Sequence, residues 1–136
     1  MATYNEIYFS KLIASERKYP EIFGRTEVPV EYHGRKYKID IKTEEHVYEV
    51  KFGHDCWKSA VGQVMAYSCL TKLDAGLIIL IRTNPQWHDK DLAGYDMLMN
   101  MMREYEMDIK VYRFYVNRET GAISKRNELT WDTDSD

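Results

Sequence analysis

Apolar residues alternate with polar ones over long stretches of the chain. At the start, Ile7, Tyr8, Leu12, Ile13 and Tyr19 recur with charges between them, which predicts an amphipathic helix over residues 4–18, ended by Pro20. Val28, Val30 and Tyr32 then alternate, giving a strand that Pro29 marks as an edge. After a His33-Gly34 turn, Tyr37, Ile39 and Ile41 alternate with Lys38, Asp40 and Lys42 in a second strand. Beyond Thr43-Glu44-Glu45, Tyr48, Val50 and Phe52 alternate with Val47, Glu49 and Lys51 in a third. The short turns predict an antiparallel meander. Gly53 breaks the pattern, and Asp55 is placed to cap a helix running to about Thr71.

Ala75 to Ile81 is apolar throughout and rich in β-branched residues, which suits a central strand covered on both faces. Asn84-Pro85 reads as a loop, residues 90–106 as a helix carrying Leu92, Tyr95, Leu98, Met99, Met102 and Tyr105, and Ile109 to Val116 as a last strand. From Asn117 the pattern weakens. The predicted order is αβββαβαβ, an α/β fold with helices on both faces of a mixed sheet. One domain is expected over residues 1–127, followed by an acidic tail over 128–136.

Length and composition agree with one core: 136 residues, 44% hydrophobic and 30% charged. The longest apolar run is seven residues, against the roughly 20 of a membrane helix. Met1 to Glu6 lacks a basic stretch leading into an apolar one, so no secretory signal is expected. Cys56 and Cys69 have no metal-knuckle spacing and read as reduced, mostly buried thiols of an intracellular protein. The methionines at 97, 99, 101, 102 and 107 exceed what one helix face needs, which suggests a dimer surface. Trp57, Trp87 and Trp131 read first as packing residues, with base stacking as the alternative.

The chemistry gathers on the second and third strands. Side chains two apart on a strand share a face, so Glu49 and Lys51 project together. Alternation turns Asp40 away from Ile39 and Ile41, and in a meander it neighbours Glu49. Two carboxylates and an ammonium therefore converge on one side, while Tyr37, Ile39, Ile41, Tyr48, Val50 and Phe52 fill the other. Carboxylates held this close repel each other unless a cation sits between them. Hard oxygen ligands with open water positions suit Mg²⁺ or Mn²⁺ bridging a phosphate, and a neighbouring lysine can assist the attacking water or the charged transition state. The plain alternative is a surface ladder of opposite charges.

Arg35-Lys36-Tyr37-Lys38-Ile39-Asp40-Ile41 followed by Tyr48-Glu49-Val50-Lys51 resembles the signature of the PD-(D/E)XK nuclease superfamily. That group includes restriction endonucleases, archaeal Holliday-junction resolvases and RecB-like exonucleases. The strict Pro-Asp dipeptide is absent, since Ile39 precedes Asp40. The resemblance implies a restriction-endonuclease-like αβββαβ core over residues 4–82, with a C-terminal αβ extension. It implies that Asp40, Glu49 and the Val50 carbonyl hold Mg²⁺ or Mn²⁺ and that Lys51 is the catalytic lysine. It further implies an acid on the first helix, Glu6 or else Glu16, that reaches the metal. RecB-like members carry Gln and Tyr one turn apart on the helix after the third strand. Gln63 and Tyr67 offer that pair at i, i+4, one residue wider than the commonest form. The small residues Cys56, Ser59 and Ala60 on that side of the helix would let it approach the sheet. Lys58 points about 140° away from Gln63 at 100° per residue and is set aside. His54, just after the third strand, reads first as a loop or capping residue, with contact to DNA or metal as the alternative; His33 and His46 have no metal-ligand spacing.

The expected activity is hydrolysis of DNA phosphodiester bonds, structure-directed or weakly sequence-specific, with a homodimer or a protein partner supplying reach and specificity. The competing classes are an inactive nuclease-derived binding protein and an RNA endonuclease with the same core. The RNA enzymes use a histidine on the first helix, and residues 4–18 contain none. A net charge of −3 speaks against a polyanion partner only in total. Residues 128–136 carry four acids and no Lys or Arg, leaving 19 basic and 18 acidic residues, net +1, in the rest. Arg35, Lys36, Lys38, Lys42 and Lys51 cluster on the strands around the carboxylates as a basic surface for DNA.

Overall fold

The computed structural model describes residues 3–15, 19–55 and 57–129. Among them run α1 (Glu6–Ser15), β1 (Arg25–Tyr32), β2 (Arg35–Lys42), β3 (His46–Phe52), α2 (Trp57–Thr71), β4 (Asp74–Arg82), α3 (Pro85–Glu104), β5 (Lys110–Val116) and β6 (Ile123–Leu129). The strands form one mixed sheet in the order β1-β2-β3-β4-β5-β6. β3, β4 and β5 are parallel, joined through α2 and α3, and the outer pairings are antiparallel. The protein is thus α/β with helices on both faces. β1 is an edge strand, where Pro29 removes no ladder bond that a further neighbour would need.

Each face buries its own core. Beneath α2 and α3 lie Val47, Leu77, Ile79, Ile81 and Val111, packed against Ala60, Val64, Tyr67, Leu98 and Met102. Beneath α1 lie Tyr48, Val50, Phe52, Ile78, Leu80, Tyr112 and Phe114, packed against Phe9 and Ile13. The period-2 alternation of β3 and β5 and the continuous apolar run of β4 account for this. Full burial of one such aliphatic or aromatic side chain is worth about 1.5–3 kcal/mol.

Several expectations from the sequence are corrected. α3 begins at Pro85, because proline's fixed φ suits a first helical position, with Asn84 preceding it as the cap residue. β6 was not foreseen: it pairs antiparallel with β5, with Glu128 opposite Tyr112 and Leu129 opposite Val111. The boundary at 128 therefore moves. A strand holds these residues, and 130–136, including Trp131, lie outside the described residues, as do Glu16 and Cys56. Cys69 is exposed rather than buried. Met99 and Met102 belong to the core, Met101 and Met107 pack against it, and only Met97 of the five is strongly exposed. This leaves little methionine surface for a dimer. Trp57 is buried, and Trp87 packs on Arg82.

The β1–β2 hairpin departs from simple alternation. Its two-residue turn has His33 and Gly34 both at positive φ, as its tight reversal requires. Farther down, Ile39 packs beneath α2 while Ile41 packs beneath α1, although they are two residues apart. The flip occurs where Thr26 pairs with Ile41 and Val28 with Ile39; between them Glu27 sits at φ 51° opposite Asp40. The expectation that Ile39 shares a face with Val50 is therefore wrong, whereas Ile41 does share it: the backbone rotates at Glu27 and Asp40, so side-chain parity changes there.

In the middle of α2, a Cβ built on Gly62 meets nothing within 4 Å. Gly62→Ala is expected to raise stability by about 0.5–1 kcal/mol, read from the urea midpoint, because it removes backbone entropy from the unfolded chain without a clash. An unchanged or lower midpoint would contradict this.

Candidate active site

Asp40 stands where two strands part. The β2–β3 ladder consists of only two pairs, Ile41 with Tyr48 and Lys42 with Val47. Beyond it β2 leaves with the hairpin, and the β3 edge that it would have covered is open. The N–H and C=O of one strand residue face the same neighbour, so Val50 and Phe52 each present main-chain groups to this gap. Carboxylates fill it. The Val50 N–H donates to Asp40 Oδ2 at 2.8 Å, and the Phe52 N–H donates to Glu6 Oε2 at 2.9 Å. Asp40 and Glu6 thus replace the missing strand as acceptors, and the Val50 carbonyl faces the same opening.

Glu49 is almost fully buried below α2, and the Asp40 N–H makes a long contact of 3.4 Å with its Oε1. Lys51, next on that face, is half-buried. Its ammonium acts electrostatically on Glu6, Asp40 and Glu49 alike. The resulting cleft, of about 360 Å³, is lined by Glu6, Lys38, Asp40, Glu49, Lys51, Gln63 and Tyr67, with Ile7, Ser10 and Tyr37. The structure therefore brings together most of the residues that the sequence singled out. Gln63 is exposed on α2, and Tyr67 one turn later is buried, its ring 6.3 Å from that of Tyr37.

Arg35 and Lys36 do not line the cleft; they lie exposed near the tip of the hairpin. Lys38 is exposed and lies 3.9 Å from Glu27. Of the small residues expected to seat α2 on the sheet, Ala60 does so, whereas Ser59 faces outward. Lys58 and His54 lie in a separate groove between α2 and α3. Ser10, Ile7 and Tyr37 carried no sequence signal for the cleft. They enter because α1 and the hairpin flank the gap.

The electrostatics are those of a site short of positive charge. Burial first, and then the Asp40 charge, push the Glu49 carboxyl from an ordinary 4.5 to about 8. Asp40 is also raised, by burial, against the pull of the Val50 N–H and Lys51. Glu6 is raised by burial too, opposed by its Phe52 hydrogen bond. The Tyr67 hydroxyl is pushed up by burial and then by Glu49 and Asp40, so it remains a hydrogen-bond donor. The pair Asp40 and Glu49 thus holds a proton through neutral pH.

In metal-free protein, the protonated carboxyl's contribution to stability is complete below about pH 4.5 and is lost as pH rises to about 8. At about 1.4 kcal/mol per unit this amounts to a few kcal/mol. Glu49→Gln cannot ionise, so its melting temperature in EDTA is expected to fall less steeply than that of the wild type between pH 5 and 9. Parallel curves would contradict the shift.

Two carboxylates and a main-chain carbonyl fit Mg²⁺ or Mn²⁺, which keep several waters. Among the described residues no three His, Cys, Asp or Glu side chains gather as a metal-holding group, and Glu6 is engaged with Phe52.

A different ion pair, unforeseen in the sequence, joins the end of β4 to α3 beside Phe52. Arg82 ends β4 and is buried between the rings of Phe52 and Trp87, each centroid 4.3 Å away. Its Nε and Nη2 donate to the carboxylate of fully buried Asp91 on α3, at 2.9 and 2.8 Å. Asp91 also accepts the main-chain N–H groups of His54 and Arg82, both at 2.8 Å. The available signal was a lone arginine ending an otherwise apolar strand. Compared with protein-family models, curated proteins and solved structures, the chain shows no significant match to any of them.

Proposed function

We propose that the protein is a Mg²⁺- or Mn²⁺-dependent nuclease hydrolysing DNA phosphodiester bonds, with a restriction-endonuclease-like core of the PD-(D/E)XK type. The observation that carries this reading is the convergence of Asp40, Glu49 and Lys51 in one cleft at the parting of β2 and β3. The αβββαβ order of α1 to β4 is that of the same core. Asp40, Glu49 and the Val50 carbonyl would hold the ion, which when bound lowers the pKa of a water to make a nucleophile. Lys51 would bind a phosphate oxygen and offset the charge that develops on it. Gln63 and the Tyr67 hydroxyl would orient the water and phosphate by hydrogen bonds. Glu6 fixes the Phe52 main chain beside Lys51 and so positions the lysine. Lys38 at the cleft, with Arg35 and Lys36 beyond it, would meet the backbone of the DNA. A homodimer or a partner protein would supply the reach that one small domain lacks.

Incubation with end-labelled single-stranded, duplex and branched DNA, and with RNA, in Mg²⁺, Mn²⁺ or EDTA, tests the reading. Cleavage of DNA in either ion and none in EDTA is expected. Cleavage of RNA alone would move the activity to that polymer. No cleavage of any substrate would sink the enzyme and leave a nuclease-derived binding protein.

A further inference from the structure

Beside the cleft, between the β1–β2 hairpin and the outer side of α2, runs a groove of about 700 Å³. Its hairpin wall is Tyr32 and Tyr37, and its helix wall is Ser59, Gly62, Ala66 and Leu70. The helix wall is low at Ser59, Gly62 and Ala66 because those residues are small; the open space at Gly62 is part of the groove. Tyr37, Gln63 and Tyr67 line both the groove and the cleft, so the two are continuous. Tyr32, Tyr37 and Leu70 are 53%, 36% and 38% exposed, a cost in water that an apolar partner would relieve.

We propose that this groove binds unpaired nucleobases of the strand whose phosphate enters the cleft, so that the preferred substrate is single-stranded on one side of the cut. The inference rests on the nuclease reading above. Four observations carry it. The groove opens directly into the carboxylate cleft. Among the described residues no carboxylate lines the groove, although three of its lining residues, Tyr37, Gln63 and Tyr67, also line the cleft with Asp40 and Glu49. Its exposed tyrosines offer the π-faces on which any base stacks. Arg35 pairs across the hairpin with Tyr32 and lies at the same strand phase as Tyr37, which puts a guanidinium beside those rings for the backbone phosphates. The volume lies in the range of about 300–1,000 Å³ of pockets that accept small molecules. A second copy of the chain seated there would cover Tyr37, Gln63 and Tyr67 and obstruct the cleft, so bases fit the groove better than a protein does.

The test is fluorescence anisotropy in EDTA, where nothing is cut. The probes are a labelled oligothymidylate of about twelve nucleotides, an abasic deoxyribose-phosphate strand of the same length, and the matching duplex. Wild type is expected to bind oligothymidylate at least about tenfold more tightly than the abasic strand. Gly62→Leu places a side chain in the open groove and is expected to abolish that difference, leaving duplex binding within about twofold. Tyr32→Ser removes an exposed ring from the opposite wall and is expected to weaken oligothymidylate binding without touching the helix. Thermal melting checks that both variants fold. Equal binding of base-bearing and abasic strands, or no response to either variant, overturns the proposal. So does a dimer in sedimentation that Gly62→Leu dissociates, which would assign the groove to a second copy. Base-dependent binding without cleavage in Mg²⁺ or Mn²⁺ upholds the groove and sinks the nuclease. Cleavage without base-dependent binding does the reverse.

Discussion

Lys51→Ala and Asp40→Asn are each expected to lower the rate of DNA cleavage by about a hundred- to a thousandfold or more while the fold stands. The magnitude is that of removing one preorganised charge from a site where phosphate charge develops. Among the described residues that line the cleft, the cations are Lys51 and Lys38, and of these Lys51 is half-buried while Lys38 is exposed. Asn at position 40 retains an oxygen to accept the Val50 N–H, so the parting of β2 and β3 survives. It also removes one member of a carboxylate pair that burial already penalises. The metal-free Asp40→Asn protein is therefore expected to melt at or above the wild-type temperature while its cleavage rate collapses. Single-turnover rates and melting curves on the same samples check both halves. Retained cleavage contradicts the assigned roles, and a collapsed fold contradicts the local argument.

The second large effect lies away from the cleft. Asp91→Ala is expected to cost about 3–5 kcal/mol, a large part of the 5–15 kcal/mol that holds a domain of this kind together. Asp91 is fully buried and accepts from two main-chain N–H groups and two guanidinium nitrogens. Its loss leaves Arg82 charged and nearly solvent-free between Phe52 and Trp87; Asp55, 3.7 Å away, is a poor substitute because it is half exposed. Replacing both partners, Arg82→Met with Asp91→Leu, is expected to cost less than Asp91→Ala alone, since no buried charge is then orphaned. Urea midpoints decide between these outcomes. A loss below about 1 kcal/mol in Asp91→Ala would show that the pair is not a brace.

Much of this arrangement was legible because it rests on periodicity. Glu49 and Lys51 share a face by strand parity, and the run from Ala75 to Ile81 could only be a covered strand. The pairing of Asp40 with Glu49 was legible for a partly mistaken reason. Parity holds along β3 but breaks in the hairpin, where Glu27 takes a positive φ that no residue type there announces. Asp40 reaches the site because β2 turns away, not because two strands run on side by side. β6 escaped notice because an edge strand joined by main-chain bonds needs no apolar alternation, and Ser124-Lys125-Arg126-Asn127 has none. Arg82 and Asp91 escaped because a buried ion pair between a strand end and a helix has no period to detect.

The central claim is that the carboxylates at the parted strands form a divalent-cation site. It is tested most directly by calorimetric titration of Mn²⁺ at pH 7 in two buffers of different ionisation enthalpy. Because the Asp40 and Glu49 pair holds a proton at that pH, wild type is expected to bind one Mn²⁺ and release about one proton, and Asp40→Asn is expected to bind none. Absence of binding to wild type, or equal binding with the same proton release in the variant, would contradict it.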